Sequence, residues 1–459
     1  MSRGNGMAPD YITMGEASAA LGLTKARISQ LAGSGVLDSA IVDGRKQVSA
    51  TSVQAYLKQR RSTGRIPRSR EGLKMTLMSA DHEIARVSYE SKREYPFAIG
   101  EVLDPQRMPM GTVTSGGSVH KRRFNDWWSH RSIPDTRPMI MSKKAELGVV
   151  EESEIPIKSY GLSLSDCYWL RPDNISLAWN DLNYFDNEFV GAGGLENEWL
   201  ANVGLNSPDN TSEGELPKRW IIRNGNRVLL KGSGMDDQRP FNECVASALH
   251  SRLLKETDYV IYDALNLEEG PVCACQDFLS GREEYIPAVY LKETMGNVRG
   301  SSTYDRLCRF AGRLGADEES VRVGICKMLA CDSILANTDR HWRNFGFVRN
   351  VDTLELRLAP IFDTGNCLWF AKTPKEIAAG DWSFAARPFG PEPERQLAVI
   401  DRAGWFEPKA LDGFIEEAMT ILSASKYASE PERHAFIEKG IARRVADVSA
   451  VMSVLALRA

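Results

Sequence analysis

The stretch from Leu335 to Gly365, LANTDRHWRNFGFVRNVDTLELRLAPIFDTG, constrains this chain more than any other. It sets Asp339 five residues before Asn344 and, beyond two short apolar runs that read as a hairpin, a second aspartate, Asp363, followed by Thr364 and Gly365. Carboxylate and amide oxygens suit a hard divalent cation, and a further carboxylate able to orient a hydroxyl completes the layout of a phosphotransferase centre. Such a centre must be held by a substantial core. A chain of 459 residues with 42 % hydrophobic content supplies one and has length for roughly three domains.

The rest of such a centre should lie upstream, in a fixed order. The run KRWIIRNGNRVLLKG reads as two strands joined by an Asn224-Gly225 turn, the second ending on Lys231, a candidate for neutralising phosphates. Glu243 lies near the start of PFNECVASALHSRLL, where Cys244, Ala248, Leu249, Leu253 and Leu254 predict an apolar helical stripe. In protein kinases the phosphate lysine is held by a glutamate on the following helix, and Lys231 and Glu243 stand in that order. DYVIYDAL and PVCACQDFLS then read as adjacent strands, the second leading into a hinge at Gln276, Asp277 and Phe278, where adenine is expected. Residues 303–336 and 393–457 carry helical stripes such as VRVGICKMLACDSIL.

Charge is distributed unevenly. Residues 1–70 hold eleven lysines and arginines against four acidic residues, a surplus of +7 inside a chain of net charge −4. A basic head on an acidic body points to nucleic acid. TMGEASAALGLTKARISQLAGSGVL reads as two helices with Ala17, Ala20, Leu21, Ile28 and Leu31 inward, followed by a hairpin at Asp43-Gly44 and a third helix capped by Thr51. Lys25, Arg27 and Gln30 face outward on the second helix and Arg45 and Lys46 tip the hairpin, a set able to meet base edges and phosphates. The segment resembles excisionase and MerR-type winged helix-turn-helix proteins, which implies DNA as a partner of residues 1–65.

The polar, basic run STGRIPRSR reads as a linker, assigned to residues 66–72, and residues 73–160 as a small β-rich subdomain ending in an aromatic helix with Trp127 and Trp128 as packing anchors. Eight scattered cysteines and six histidines without ligand spacing argue for reduced core thiols rather than a zinc site. With no signal-like apolar segment and no apolar run of membrane-spanning length, the cytoplasm is the expected compartment and no membrane partner is expected.

NTDRHWRNFGF followed by LAPIFDTG resembles the HipA family of bacterial Ser/Thr kinases over most of residues 73–459. The resemblance implies an α+β, bilobal protein-kinase-like fold with an N-lobe over 161–300 and a helical C-lobe over 301–459, preceded here by the winged helix-turn-helix. It implies ATP and Mg²⁺ as cofactors, Asp339 as base, Asn344 and Asp363 as metal ligands, and Lys231 and Glu243 as the phosphate-binding pair. It implies a protein substrate, an antitoxin or self-association, and a loop hydroxyl that is autophosphorylated, for which Thr211 stands in the aligned place with Ser212 adjacent. A toxin–antitoxin or phage-defence setting follows from the same likeness. The Asp339-Arg340-His341 order departs from the histidine-first order of eukaryotic kinases and is also similar to phosphoinositide kinases, with His341 either orienting the loop or assisting at the γ-phosphate. Two other readings are a small-molecule or lipid kinase and a nucleotide-sensing transcription regulator without turnover.

Overall fold

The computed structural model describes residues 11–56 apart from 22–24, 34, 43 and 54–55; residues 73–131 apart from 91–92 and 115–116; residues 156–189 apart from 158 and 174–175; residue 208; and residues 217–457 apart from 234–235 and 269. The chain divides into two units, Met1–Leu73 and Lys74–Ala459.

In the first unit, β1 (Tyr11–Thr13) runs directly into α1 (Met14–Leu21), because Thr13 and Glu16 cap the helix reciprocally: the Glu16 N–H donates to Thr13 Oγ1 (3.2 Å) and the Thr13 N–H to Glu16 Oε2 (2.8 Å). Then come α2 (Lys25–Gly33) and a hairpin of β2 (Ser39–Val42) and β3 (Arg45–Ser49), giving an antiparallel sheet in the order β1-β3-β2. Ala17, Ile28, Leu31, Leu37, Val48 and Val53 form its core. Lys25, Gln30, Arg45 and Lys46 are exposed, whereas the side chain of Arg27 lies outside the described residues.

The second unit opens with β4 (Leu73–Ser79), β5 (His82–Tyr89) and β6 (Phe97–Val102), and the sheet is completed by β7 (Tyr168–Pro172) in the order β6-β5-β4-β7. This sheet crosses the division expected at 160/161. Met75 pairs with Pro172 and Ser79 with Tyr168, and Trp169 donates its indole N–H to the Ala80 carbonyl (2.8 Å), so burying Tyr168, Trp169 and Leu170 requires β7 to join β4. Helix α3 (Lys121–Ser129) packs on the sheet through Phe124, Trp127 and Trp128, while Asn125 bonds both backbone groups of Phe97 (2.8 and 3.2 Å). The aromatic segment around Trp179, Tyr184, Phe185 and Phe189 fills the core beside Trp169.

The second sheet has the order β10-β11-β9-β8, from β8 (Lys218–Arg223), β9 (Asn226–Gly232), β10 (Tyr262–Leu267) and β11 (Gly270–Gln276). Asn224 and Gly225 turn the β8–β9 hairpin with φ of 52° and 80°, the doubly left-handed turn that Asn-Gly favours. Helix α4 (Gln238–Leu253) packs on β10 and β11 and also on the C-terminal helices. Its buried face is therefore broader than the expected stripe: Phe241, Val245 and Leu249 are buried together with the polar Gln238 and Asn242, while Cys244 and Ala248 are only half-buried.

A third sheet, β12 (Glu283–Pro287), β13 (Gly346–Asn350) and β14 (Leu356–Leu358), contains the hairpin expected between Asn344 and Asp363. Gly346 is required there, since a Cβ would lie 2.2 Å from the Ile286 carbonyl oxygen. Helices α5 (Ala288–Thr294), α6 (Thr303–Arg313), α7 (Glu318–Ile334), α8 (Pro374–Ala378), α9 (Pro393–Leu397), α10 (Phe414–Leu422) and α11 (Pro431–Ala456) surround the largest apolar core. The protein is thus mixed α+β. Arg349 joins the first sheet to the third, pairing with buried Glu284 and donating to the Gln106 carbonyl (3.1 Å) and the Tyr168 hydroxyl (3.2 Å).

Candidate active site

Lys231 near the end of β9 and Glu243 in the first half of α4 are both buried and meet at 2.5 Å, Nζ to Oε1. The same ammonium binds Asp363 Oδ1. Burial alone would lower the Lys231 pKa, but the Asp363 and Glu243 carboxylates outweigh it and hold the ammonium well above the ordinary lysine value. Burial would correspondingly raise the Asp363 pKa, and Lys231 with Lys218 instead holds this carboxyl far below the usual range. Glu243 has a second anchor, because its Oε2 accepts the Thr364 N–H at 2.9 Å. Gly365 lies close at that approach: a Cβ there would sit 3.2 Å from both Glu243 Oε1 and the Arg239 carbonyl, so a side chain would have to push one of them aside.

Asp363 adopts φ of 56°, a left-handed conformation that costs a non-glycine residue about 1 kcal/mol or more and persists only where its surroundings enforce it. Here the Lys231 contact fixes its side chain and the Tyr262 hydroxyl accepts its N–H (3.2 Å).

The loop after α7 carries Asp339, with one carboxylate oxygen committed: Oδ2 accepts the Asn366 amide N–H at 2.8 Å. His341 Nδ1 accepts the Arg343 backbone N–H (3.2 Å), so the neutral ring carries its proton on Nε2, 3.8 Å from Asp339 Oδ1. Asn344 donates its side-chain Nδ2 to the Asp339 carbonyl (2.9 Å), which leaves its Oδ1 as the atom available to a cation.

One cavity of ≈ 620 Å³ is lined by Lys218, Lys231, Asp339, His341, Asn344, Asp363 and Asn366 together with Gln276, Asp277 and Phe278, the residues expected as a hinge. Strand β10 pairs with β11 only as far as Cys275, and the Asp277 N–H is spent on the Arg227 carbonyl (2.9 Å) on the β9 side, so the backbone beyond Cys275 has an edge that β10 does not cover. Phe278 and Phe362 stack at 5.7 Å and Tyr285 meets both rings edge-on, forming an aromatic floor at this end. Asp277 is part-exposed, but its Oδ2 is buried without a hydrogen-bond partner, and burial pushes the carboxyl pKa up to about 8. Thr211 and Ser212 lie outside the described residues.

Among the described residues no trio of His, Cys, Asp or Glu could hold a metal unaided. Mg²⁺ does not require one, since one or two protein oxygens suffice when phosphates and water complete the octahedron, and Asn344 Oδ1 with the Asp363 carboxylate fits that demand. The residues missed in the sequence are Asn366, Tyr262 and Asp332. Asn366 follows Asp363 by three positions, a local signal, whereas Tyr262 and Asp332 reach the site only through tertiary contacts.

Over 102 residues the chain is 32 % identical to a bacterial serine/threonine kinase. That relative is serine/threonine-protein kinase CtkA of Helicobacter pylori; the match takes in 21 % of this chain and 31 % of CtkA, so the chain spans about a third of the curated relative's length. The solved structure of H. pylori CtkA, described as a proinflammatory kinase, is similar at 19 % identity with a TM-score of 0.40, over 54 % of this chain and 93 % of that one. A structure of the Shewanella oneidensis HipA, HipB and operator DNA complex is similar at 11 % identity with a TM-score of 0.49, over 83 % of this chain and 99 % of that one. No family model matches the chain.

Proposed function

We propose that this chain is a HipA-like, ATP-dependent Ser/Thr protein kinase with a kinase-type bilobal body and a DNA-binding winged helix-turn-helix over residues 1–65. The observation that carries the reading is the convergence of Lys231, Asp339, Asn344 and Asp363 on one cavity, with Lys231 already paired to the buried Glu243. The 102-residue likeness to a named Ser/Thr kinase supports it.

Adenine sits between the 276–278 hinge and the Phe278–Phe362 floor. Lys231, oriented by Glu243, neutralises the α- and β-phosphates once nucleotide displaces its contact with Asp363. Asn344 Oδ1 and the Asp363 carboxylate would hold Mg²⁺, which would supply positive charge to offset that developing on transfer. Because Asn366 occupies Asp339 Oδ2 and fixes the carboxylate, Oδ1 is the atom that takes the proton of the attacking serine or threonine hydroxyl, with His341 Nε2 3.8 Å from it. The oxygen of that hydroxyl bonds to the γ-phosphorus as the bond to the ADP oxygen breaks.

We further propose autophosphorylation at Thr211 or Ser212, self-repression through DNA, and a toxin–antitoxin or phage-defence setting with an antitoxin or a second copy as partner. Parent protein incubated with γ-labelled Mg-ATP is expected to label itself or an added protein, and Asp339→Ala to lose at least ~100-fold in rate while still binding nucleotide. Equal labelling by parent and Asp339→Ala removes Asp339 from the chemistry.

A further inference from the structure

Arg340 has no exposed surface, and of the largest fully buried side chains among the described residues it is the one that carries a charge. Taking a guanidinium out of water costs several kcal/mol unless its donors are matched, and all five of its N–H groups are matched. Nε donates to Asp332 Oδ2 (2.8 Å) and Nη2 to Asp332 Oδ1 (3.1 Å), a two-pronged pair with a carboxylate near the end of α7. Nη1 donates to the carbonyls of Asn344 and Phe362, both at 2.6 Å, and Nη2 also to Thr364 Oγ1 at 2.9 Å.

Those three acceptors are Asn344 itself and the two neighbours that bracket Asp363. A single planar group therefore ties the two loops that carry the proposed cation ligands. The opposite side of the pair reaches the base: Asn337 donates Nδ2 to Asp332 Oδ1 (2.8 Å), and Asn337 Oδ1 accepts the Asp339 N–H (3.0 Å). Thr364 continues the path, since its N–H holds Glu243. Arg340 does not itself line the cavity that holds Asp339, Asn344 and Asp363.

We infer that Arg340, anchored by Asp332, is a positioning residue that sets the distance between Asn344 and Asp363 and through it the divalent-cation affinity of the centre. The inference rests on the phosphotransfer reading of the site. It also gives the Asp339-Arg340-His341 order a physical role, because an arginine directly after the base can turn inward beneath both loops while Asp339 and His341 face the cavity. Lysine cannot replace it: one ammonium retains the charge opposite Asp332 but cannot reach acceptors on both sides as a planar fork does.

The test uses the full chain with Mn²⁺ as the probe, its binding followed by electron paramagnetic resonance in the presence of a non-transferable ATP analogue. Arg340→Lys is expected to weaken Mn²⁺ binding at least ~10-fold while metal-free analogue affinity stays within about twofold. The comparison variant is Arg433→Lys, which alters another buried arginine, on α11, bonded to the carbonyls of Trp369 and Lys372 rather than to those of Asn344 and Phe362; it should lower the melting temperature and leave Mn²⁺ affinity unchanged. If Arg340→Lys does not fold by circular dichroism, Asp332→Asn, which keeps shape and removes the anchoring charge, decides by the same measurement. Parent-like Mn²⁺ affinity in the deciding variant, with only a loss of melting temperature, overturns the inference and leaves the kinase reading standing. Failure of the parent to bind Mn²⁺ with the analogue overturns both.

Discussion

Asn366 holds one oxygen of Asp339 and so decides which oxygen is free to accept a proton. Asn366→Ala should therefore lower kcat by about tenfold to a hundredfold with little change in KM for ATP, because the proposed nucleotide contacts are Lys231 and residues 276–278 rather than Asn366. Steady-state kinetics at varied ATP separates the two parameters, and a rise in KM with unchanged kcat would assign Asn366 to binding instead. Asp277 yields a prediction of a different kind. Its folded-state pKa of about 8 lies above the ordinary carboxyl value, so the folded chain binds the proton more tightly than the unfolded chain. The corresponding stability is complete below about pH 4 and is lost as pH rises toward 8. Asp277→Asn keeps the Oδ1 that accepts the Leu279 N–H (3.1 Å) and removes the titration. It should melt a few degrees higher than the parent at pH 8.5, with the gap closing toward pH 5; a gap independent of pH would contradict the assignment. His250 acts in the opposite direction, since burial pushes its imidazole down to about 3 and stability falls as pH drops below about 6.5. At this scale the sequence reveals residues whose chemistry is local. The spacing of Asp339, Asn344 and Asp363, which the fold brings to one cavity, is legible in the sequence, whereas the contacts of Arg340 and Asp332 are not, because residues eight apart in sequence meet only after α7 ends and the loop folds back.

Elements differ in how firmly they are joined. The first sheet is tied to the third by Arg349, which pairs with buried Glu284 within the third sheet and donates to the Tyr168 hydroxyl of β7 (3.2 Å), and also at the surface, where Arg282 bridges Asp81 (2.7 Å) and Asp352 (2.6 Å). Breaking the buried pair strands a charge, so Glu284→Ala should cost about 3–5 kcal/mol, whereas Asp352→Asn should cost no more than about 1 kcal/mol in water-screened surroundings. Urea denaturation of the two variants measures the difference, and equal losses would mean that the buried pair adds nothing beyond the surface one. The strands themselves were readable from alternation and from Asn224-Gly225. The partnership of β7 with β4 was not, because roughly ninety residues intervene and no local pattern encodes which edge a returning strand joins. Helix α4 shows the same limit: a stripe of apolar residues marks one buried face, but a helix packed on two sides also buries Gln238, Asn242 and Glu243.

For the whole molecule, the basic head and the catalytic body make separable predictions. On the proposed DNA-binding role of residues 1–65, the whole chain should shift duplex DNA with log affinity falling as log salt rises; Arg27→Ala should weaken the shift, and deletion of residues 1–65 should abolish it while leaving phosphate transfer within about threefold. DNA binding that survives the deletion would contradict the assignment of the head. No helix of the described residues is long and apolar enough to cross a membrane. The central claim, that the cavity around Lys231 and Asp363 transfers the γ-phosphate of ATP to a serine or threonine, is tested most directly by phosphopeptide mass spectrometry after incubation with Mg-ATP. The parent is expected to carry phosphate on Thr211 or Ser212, or to place it on an added protein, and Asp363→Ala to carry none. Absence of phosphate from serine and threonine in a folded, nucleotide-binding parent, or equal phosphate in Asp363→Ala, would contradict it.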